Sequence, residues 1–362
     1  MRTEHVTLDG AADAAKIDHA AQILRAGGLV AFPTETTYGI GADYRNPEAQ
    51  ARLGRVKGKR VGKSCSLLVG SVKQSEALAG GLSRTAQKLT RLYWPGMLTL
   101  VVPRPGGGNL GLRLPGHPIA RSLIAQCGFA LATSNATLLT TKSGDTAARV
   151  ICDGLSAASV RAAFEGKIDL VLEGGSPPRG QLSTVVEVSE RSVSVQREGA
   201  ISEVDILLAS APTVLFVCTG NTCRSPMAEG LCRAALARRP LGEFTLPIRV
   251  LSAGTNAHAG QEAHPHSINA MLEIGIDIRD HRATLLTPEL VDSADWIFTM
   301  TRAHRDSIME FMPFCADRVQ LISNENDDIT EPGGRYIERY RRSRDTMAAC
   351  LLNVLTILEN ES

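Results

Sequence analysis

The feature that most constrains this chain is a strand that runs through a short loop into a helix. Thr213-Val-Leu-Phe-Val-Cys218 is a continuous apolar run, which reads as a strand buried on both faces. The loop Thr219-Gly-Asn-Thr-Cys223 follows, and its Gly220 and Asn221 both tolerate positive φ. Arg224-Ser225-Pro226 then opens a helix, with Pro226 expected at the first helical position. Loop amides and a helix N-terminus together make an anion site. Cys218 stands at its foot, where positive potential favours a thiolate. Arg224 has the planar fork that grips two phosphoryl oxygens, and Ser225 can donate to the sulfur. Cys-x5-Arg-Ser in this setting is a nucleophile built for phosphoryl transfer through a cysteinyl-phosphate.

The rest of the second half alternates strand and helix, from IRVLSAG and HSINAMLEIG through DWIFTM, RAHRDSIMEFM and RVQLI to a long C-terminal helix. That order predicts a doubly wound parallel sheet with the phosphate-binding loop at a strand end. The first half mixes strands (LVAF, CSLLVG, MLTLVVPR, FALATSN, IDLVLEGG, STVVEV, SVSVQREG) with five helical segments, so the whole chain is α/β. At 362 residues it is long enough for two domains. The expected bounds are 1–208 and 213–362, with Ala209-Ser-Ala-Pro212 as a short linker.

With 43% hydrophobic and 21% charged residues, the chain has the apolar surface that a disordered segment lacks. No apolar run is long enough to span a membrane, and the acidic start has no apolar signal region. A cytoplasmic chain without membrane partners is the expectation. Eight cysteines at irregular spacing argue against a disulfide framework, and no Cys-x-x-Cys pair or His spacing suggests a metal. The histidines 258, 264, 266, 281 and 304 read as capping or surface groups. The overall charge of +1 hides an asymmetry. Residues 1–212 hold 24 Lys and Arg against 18 Asp and Glu, and the remainder holds 15 against 20. Arg52, Arg55, Lys57, Lys59, Arg60 and Lys63 form a basic run that reads either as a solvated face or as a polyphosphate or RNA surface.

Residues 213–362, with Cys218–Ser225, SAGTNAHAG (252–260), LEIGIDIRDHRA (272–283) and ADWIFTMTRAH (294–304), resemble the low-molecular-weight protein tyrosine phosphatases. The resemblance implies a phosphoprotein substrate, no cofactor, and a phosphate loop formed by Thr219, Gly220, Asn221, Thr222 and Cys223. Thr219 is similar to the protein-arginine phosphatase branch, which leaves phosphoarginine and phosphotyrosine as alternatives. The family's general acid is an Asp-Pro aspartate. Here Glu331-Pro332 occupies that place, Asp328 is the other candidate, and Gly333 replaces an aromatic. Cys223 is either a small filler or the partner that traps an oxidised Cys218 as a disulfide.

The first half yields only a basic α/β domain by physical reading. Seven segments in order resemble the YrdC-type threonylcarbamoyl-AMP synthases: AFPTETTYGIGADY (31–44), KGKRVGKSCSLLV (57–69), YWPGMLTLVV (93–102), LGLRLPGHPIA (110–120), DLVLEGG (169–175), GQLSTVVEV (180–188) and QREGAIS (196–202). That family has a YrdC-like twisted open sheet. It joins L-threonine, bicarbonate and ATP, with Mg2+ expected beside the ATP, and releases pyrophosphate in a pathway that modifies tRNA. The resemblance assigns Thr34, Arg113 and Ser183 to threonine, and Lys57, Lys59, Thr133, Asn135, Thr141 and Arg197 to ATP. tRNA and tRNA-modification proteins are the implied partners. Lys59-Arg60 stands where the family has Arg-Pro, and Thr133-Ser-Asn-Ala-Thr137 where it has Ser-Ala-Asn followed by Ser-Gly. Two readings follow: a bifunctional synthase and phosphatase, or a phosphatase carrying a nucleotide- or RNA-binding module.

Overall fold

The computed structural model describes residues 2–8, 13–58, 65–140, 149–177, 181–189, 192–238, 248–323 and 327–360. It divides into two compact units, Met1–Leu208 and Ala209–Ser362. Lys59 and Thr141 lie outside the described residues.

The first unit opens with β1 (Glu4–Thr7), α1 (Ala14–Arg25), β2 (Val30–Pro33), β3 (Tyr38–Asp43), α2 (Pro47–Val56) and β4 (Ser66–Leu68). It continues with α3 (Val72–Ala79), α4 (Arg84–Tyr93), β5 (Leu98–Pro103), β6 (Asn109–Arg113), α5 (Pro118–Cys127) and β7 (Leu131–Asn135). After β8 (Leu138–Thr140) and β9 (Arg149–Cys152) come α6 (Ala157–Phe164), β10 (Leu170–Glu173), β11 (Thr184–Val188), β12 (Val193–Arg197) and α7 (Glu203–Ser210). Ten strands form one mixed open sheet in the order β1-β10-β2-β3-β7-β4-β6-β5-β11-β12. Strand alternation divides β2 between two cores. Val30 and Phe32 pack with Leu24 of α1 and Leu123 of α5, whereas Ala31 packs on the other face with Leu53 of α2 and Phe164 of α6. Both faces are covered, which is why these strands read as unbroken apolar runs.

The helix α7 is a departure from the expected linker. Ala209 and Ser210 complete its last turn, so the chain is helical where Ala-Ser-Ala-Pro suggested a flexible joint. The strands β1, β3, β6, β8 and β9 carry no strong period-2 signal and were not foreseen.

The second unit contains β13 (Thr213–Cys218), α8 (Arg224–Arg238), β14 (Arg249–Gly254), α9 (Pro265–Leu272), α10 (Pro288–Ser293) and β15 (Trp296–Thr299). Then come α11 (Arg302–Phe311), a 3-10 turn (Pro313–Arg318), β16 (Val319–Leu321) and α12 (Ile337–Asn360). The sheet order is β14-β13-β15-β16 and every pairing is parallel. Val214, Phe216 and Cys218 face the core shared with α8 and α12, and Leu215 and Val217 face the core shared with α10 and α11. Met347, Leu351, Val354 and Leu358 form the helical stripe that docks α12 there. The helix α8 begins at Arg224, two residues before Pro226, so Arg224 and Ser225 belong to its first turn.

β14 ends against the loop after β13. Thr255 N donates to Cys218 O at 2.9 Å and Asn256 N to Thr219 O at 2.9 Å. A Cβ on Gly254 would stand 2.4 Å from Thr219 O and 2.9 Å from Asn221 N, so only glycine permits this approach. Gly254→Ala is expected to cost about 1–3 kcal/mol of stability. It should also weaken oxyanion binding to the loop, measured by urea unfolding and by vanadate titration.

Candidate functional sites

In the second unit Cys218 is 2% exposed at the end of the central strand. Ser225 Oγ, fully buried, lies 3.0 Å from its sulfur. Asn221 adopts φ 53°, while Gly220 does not use positive φ, so the left-handed turn of this loop belongs to Asn221. Its side-chain amide donates to Ser225 Oγ at 2.8 Å and to Ser252 Oγ at 2.9 Å, and its Oδ1 accepts Thr284 N at 2.7 Å. Ser252 Oγ in turn donates to Glu229 Oε2 at 2.5 Å. His281 Nε2 donates to Asn221 O at 2.7 Å. The loop shape is thus fixed by side chains from α8, β14 and the segment after α9.

Arg224 is 4% exposed. It donates to Ile329 O at 3.0 Å and pairs with the Glu331 carboxylate, while its buried Nε has no hydrogen-bond partner. An orphaned buried donor beside a buried thiol is what a ligand oxyanion would satisfy. Asp328 is held elsewhere: its Oδ1 accepts Arg302 N, at the start of α11, at 2.8 Å. The structure therefore brings Glu331 to Arg224 and uses Asp328 to cap a helix.

Two histidines expected at the surface are part of this site. His304 is 6% exposed, with Nε2 2.8 Å from Thr219 Oγ1 and Nδ1 2.8 Å from Thr301 Oγ1. Burial, reinforced by the nearby Arg224 charge, pulls its pKa down to about 4, so the ring is neutral near pH 7. His281 has the bond to Asn221 described above. Neither could be found from metal-ligand spacing. The usable signal was their place inside otherwise apolar or turn segments.

Cys223 is half-buried, 3.7 Å from Thr222 Oγ1, and burial raises its thiol pKa. Its neighbour Tyr340, 1% exposed, is raised to about 12, chiefly by burial. His264 caps α9 through its own ring nitrogen and stacks on Tyr340 with centroids 4.9 Å apart. All eight cysteines are free thiols.

In the first unit one cavity of about 180 Å³ gathers six of the residues singled out in the sequence: Thr34, Arg113, Thr133, Asn135, Ser183 and Arg197. They come from five separate places in the chain, so the sheet order alone unites them. Arg113 donates to Glu35 Oε1 at 2.7 Å, Thr36 Oγ1 at 3.1 Å and Gly96 O at 3.0 Å. Burial pushes the Glu35 carboxyl up, but the Arg113 charge and the hydrogen bonds that the carboxylate accepts together outweigh it and hold Glu35 below its ordinary value. Arg197 donates to Ser183 O at 2.7 Å, and burial followed by the like charge of Arg113 lowers its pKa. Two guanidiniums facing one cavity with a single carboxylate between them leave a net positive charge for an anion. Ser183 Oγ also lies 2.9 Å from Thr99 Oγ1. A Cβ on Gly199 would meet Leu182 O at 2.3 Å, so glycine in the QREG segment lets that chain lie against the Ser183 loop.

Thr36, Ser66 and Thr99 line the same cavity and were missed, because hydroxyls in a bend or a strand carry no spacing signal. Lys57 does not line it. Its Nζ donates to Thr137 O, beside the Thr133–Asn135 strand end, and lies 5.8 Å from the Phe164 ring centroid. Among the described residues, no group of three or more His, Cys, Asp or Glu is placed to hold a metal, and no helix is long and apolar enough to cross a membrane.

These features define a two-unit α/β protein with a cysteine-centred oxyanion loop in one unit and a cationic, hydroxyl-lined pocket in the other. The Sua5/YciO/YrdC family model, described as "Telomere recombination", matches residues 22–199, and the model for low molecular weight phosphotyrosine protein phosphatase matches 213–362. A protein-arginine-phosphatase of Geobacillus stearothermophilus is 38% identical over 153 residues, which is 41% of this chain and 97% of that protein. A threonylcarbamoyl-AMP synthase of Thiobacillus denitrificans is 33% identical over 175 residues, 46% of this chain and 87% of that protein. The chain spans 62% and 54% of two longer curated synthases that it also matches. A solved Sua5 variant from Pyrococcus abyssi shares the fold at 22% identity and TM-score 0.51, over 88% of this chain and 98% of that one. The chain belongs to the Sua5/YciO/YrdC family in its first half and to the low-molecular-weight phosphotyrosine protein phosphatase family in its second.

A His that is neutral when folded but titrates near 6.5 when unfolded binds more protons unfolded between those values. Stability is therefore full above about pH 6.5 and falls as pH drops toward 4. His304→Gln is expected to flatten that fall, by on the order of 2 kcal/mol at pH 4 relative to pH 7. Urea midpoints at the two pH values check it.

Proposed function

We propose that the chain is a bifunctional enzyme. The first unit forms threonylcarbamoyl-AMP from L-threonine, bicarbonate and ATP, releasing pyrophosphate for tRNA modification. The second hydrolyses a phosphorylated protein side chain. The observation that carries the reading is that each unit builds a cationic site: Arg113 and Arg197 line the cavity of one, and Arg224, with a buried Nε left for an anion, follows Cys218 in the loop of the other.

In the phosphatase step the Cys218 thiolate attacks phosphorus. The P–N or P–O bond breaks, and Glu331 delivers its proton to the departing nitrogen or oxygen. The Glu331 carboxylate then takes a proton from the water that attacks the cysteinyl-phosphate, which returns the thiolate and inorganic phosphate. Arg224 holds the equatorial oxygens throughout. Thr219 to Cys223 form the loop around them. Phosphoarginine is preferred here over phosphotyrosine because of the arginine-phosphatase relative, whose length the chain covers almost completely.

In the synthase step Arg113 and Ser183 would hold the carboxylate of threonine, with Thr34 beside them. Arg197, Thr133 and Asn135 would face the nucleotide. Mg2+ enters as the counter-ion of the ATP phosphates, whose own oxygens supply its ligands. The position of Lys57, outside the cavity lining, favours the second reading, a nucleotide-binding module without turnover.

Pyrophosphate release by the full-length protein separates the two. Release that requires both L-threonine and bicarbonate is the expected result, and Arg197→Gln should lower it at least about tenfold. ATP binding without release would establish the module instead. For the second unit, Cys218→Ser should abolish phosphoarginine hydrolysis but retain phosphate binding. Glu331→Gln should reduce turnover by about 10²–10⁴-fold, and retained turnover in either variant would remove that residue from its role.

A further inference from the structure

Beside Glu331 lies a cavity of about 570 Å³ whose α12 wall the mechanism does not use. One wall is the segment from Asp328 to Pro332, and the other is the first half of α12, through Arg339, Arg342 and Ser343. We propose that this cavity is a subsite for an acidic side chain of the protein substrate, close to the phosphorylated residue; the proposal rests on the phosphatase reading above.

The charge balance inside the cavity carries the argument. Three carboxylates border it, and each is already matched. Asp328 accepts Arg302 N and lies 3.5 Å from Arg302 Nε. Glu331 is paired with Arg224. Glu338 lies 3.5 Å from Arg341 on the neighbouring side of the helix. The guanidiniums of the cavity are not matched in the same way. Arg339 donates to a neutral acceptor, Gly333 O, at 3.1 Å. The Arg342 guanidinium has no hydrogen-bond or ion-pair partner among the described residues, its only side-chain contact of that kind being Thr346 Oγ1 on its backbone carbonyl. Ser343, 6% exposed, keeps a buried Oγ without any hydrogen-bond partner. Two unneutralised forks and an orphan hydroxyl define a donor-rich concavity, and its natural complement is a carboxylate.

Its place explains which carboxylate. Arg339 and Arg342 are three apart on one helix face, so both reach the same concavity. The opposite wall carries Glu331, whose carboxylate reaches the Arg224 that grips the phosphoryl group. A peptide with its phosphorylated side chain in the loop therefore passes this cavity with the residues flanking that side chain.

The test uses the full-length protein and two synthetic phosphoarginine peptides, flanked by Glu or by Lys, with p-nitrophenyl phosphate as a substrate that has no flanking residue to place in the cavity. The Glu-flanked peptide is expected to have a kcat/KM roughly five- to tenfold higher, carried by KM, and the gap should shrink in high salt. Arg342→Ala should remove most of the preference and Arg342→Glu should invert it, with p-nitrophenyl phosphate turnover unchanged in both. Equal kcat/KM for the two peptides, or a preference that survives Arg342→Glu, would overturn the subsite. Failure of the phosphatase reading looks different: no substrate is turned over. In that case anisotropy binding of the same two peptides to the Cys218→Ser protein still decides the subsite, and equal affinities would overturn it.

Discussion

The phosphatase unit depends on one buried amide. Asn221 must hold a left-handed backbone angle, and it can do so because its own side chain is tied on three sides. The two donors fix Ser225 and Ser252, and the acceptor fixes the chain at Thr284. Ser225 is thereby aimed at the Cys218 sulfur. The cost of the backbone angle, of order 1 kcal/mol or more for a non-glycine residue, is offset by bonds that are made only in this loop shape. Gly254 completes the arrangement by letting β14 close on the loop backbone. Cys218 is therefore placed both by the loop's own Asn221 and Ser225 and by residues distant in sequence, Ser252, Gly254 and Thr284.

The first unit solves a related problem with different parts. Buried Arg113 and exposed Arg197 line one cavity with like charges, and the Glu35 carboxylate bonds to Arg113. Such an arrangement is unfavourable in an empty site and favourable once an anion arrives, which is the pattern expected of a binding pocket rather than a structural ion pair. Most of the remaining lining is Thr and Ser, whose rotating hydroxyls can donate or accept. Replacing Ser by Thr at position 133 keeps this capacity: its Oγ1 donates to Ser66 O at 3.0 Å. The altered segment thus still supports the strand end that presents Asn135.

What the sequence revealed followed from periodicity and from clustered motifs. The central strands of both sheets, the long α12 and the Cys218–Arg224 loop were legible because each is contiguous. The six cavity residues of the first unit were legible only through their resemblance to a family, since nothing local says that Thr34 and Arg197 meet. His281 and His304 escaped because their importance lies in what they touch across the fold: a loop carbonyl and a loop hydroxyl. The composition of Ala-Ser-Ala-Pro did not reveal that Ala209 and Ser210 finish a helix: Ile206 is fully buried and anchors that helix through to Ser210.

The replacement of an aromatic by Gly333 changes how the second site can select a substrate. A ring at that position would close the pocket with an apolar wall. Glycine instead exposes a backbone carbonyl, and Arg339 bonds to it at 3.1 Å. Polar and charged groups from α12 therefore reach the edge of the site where a ring would have excluded them. A flat aromatic leaving group gains little from such a rim, since its binding relies on stacking and apolar burial. Loss of the ring thus moves the rim from apolar contact toward charge, while the longer side chain of Glu331 carries its carboxylate to Arg224.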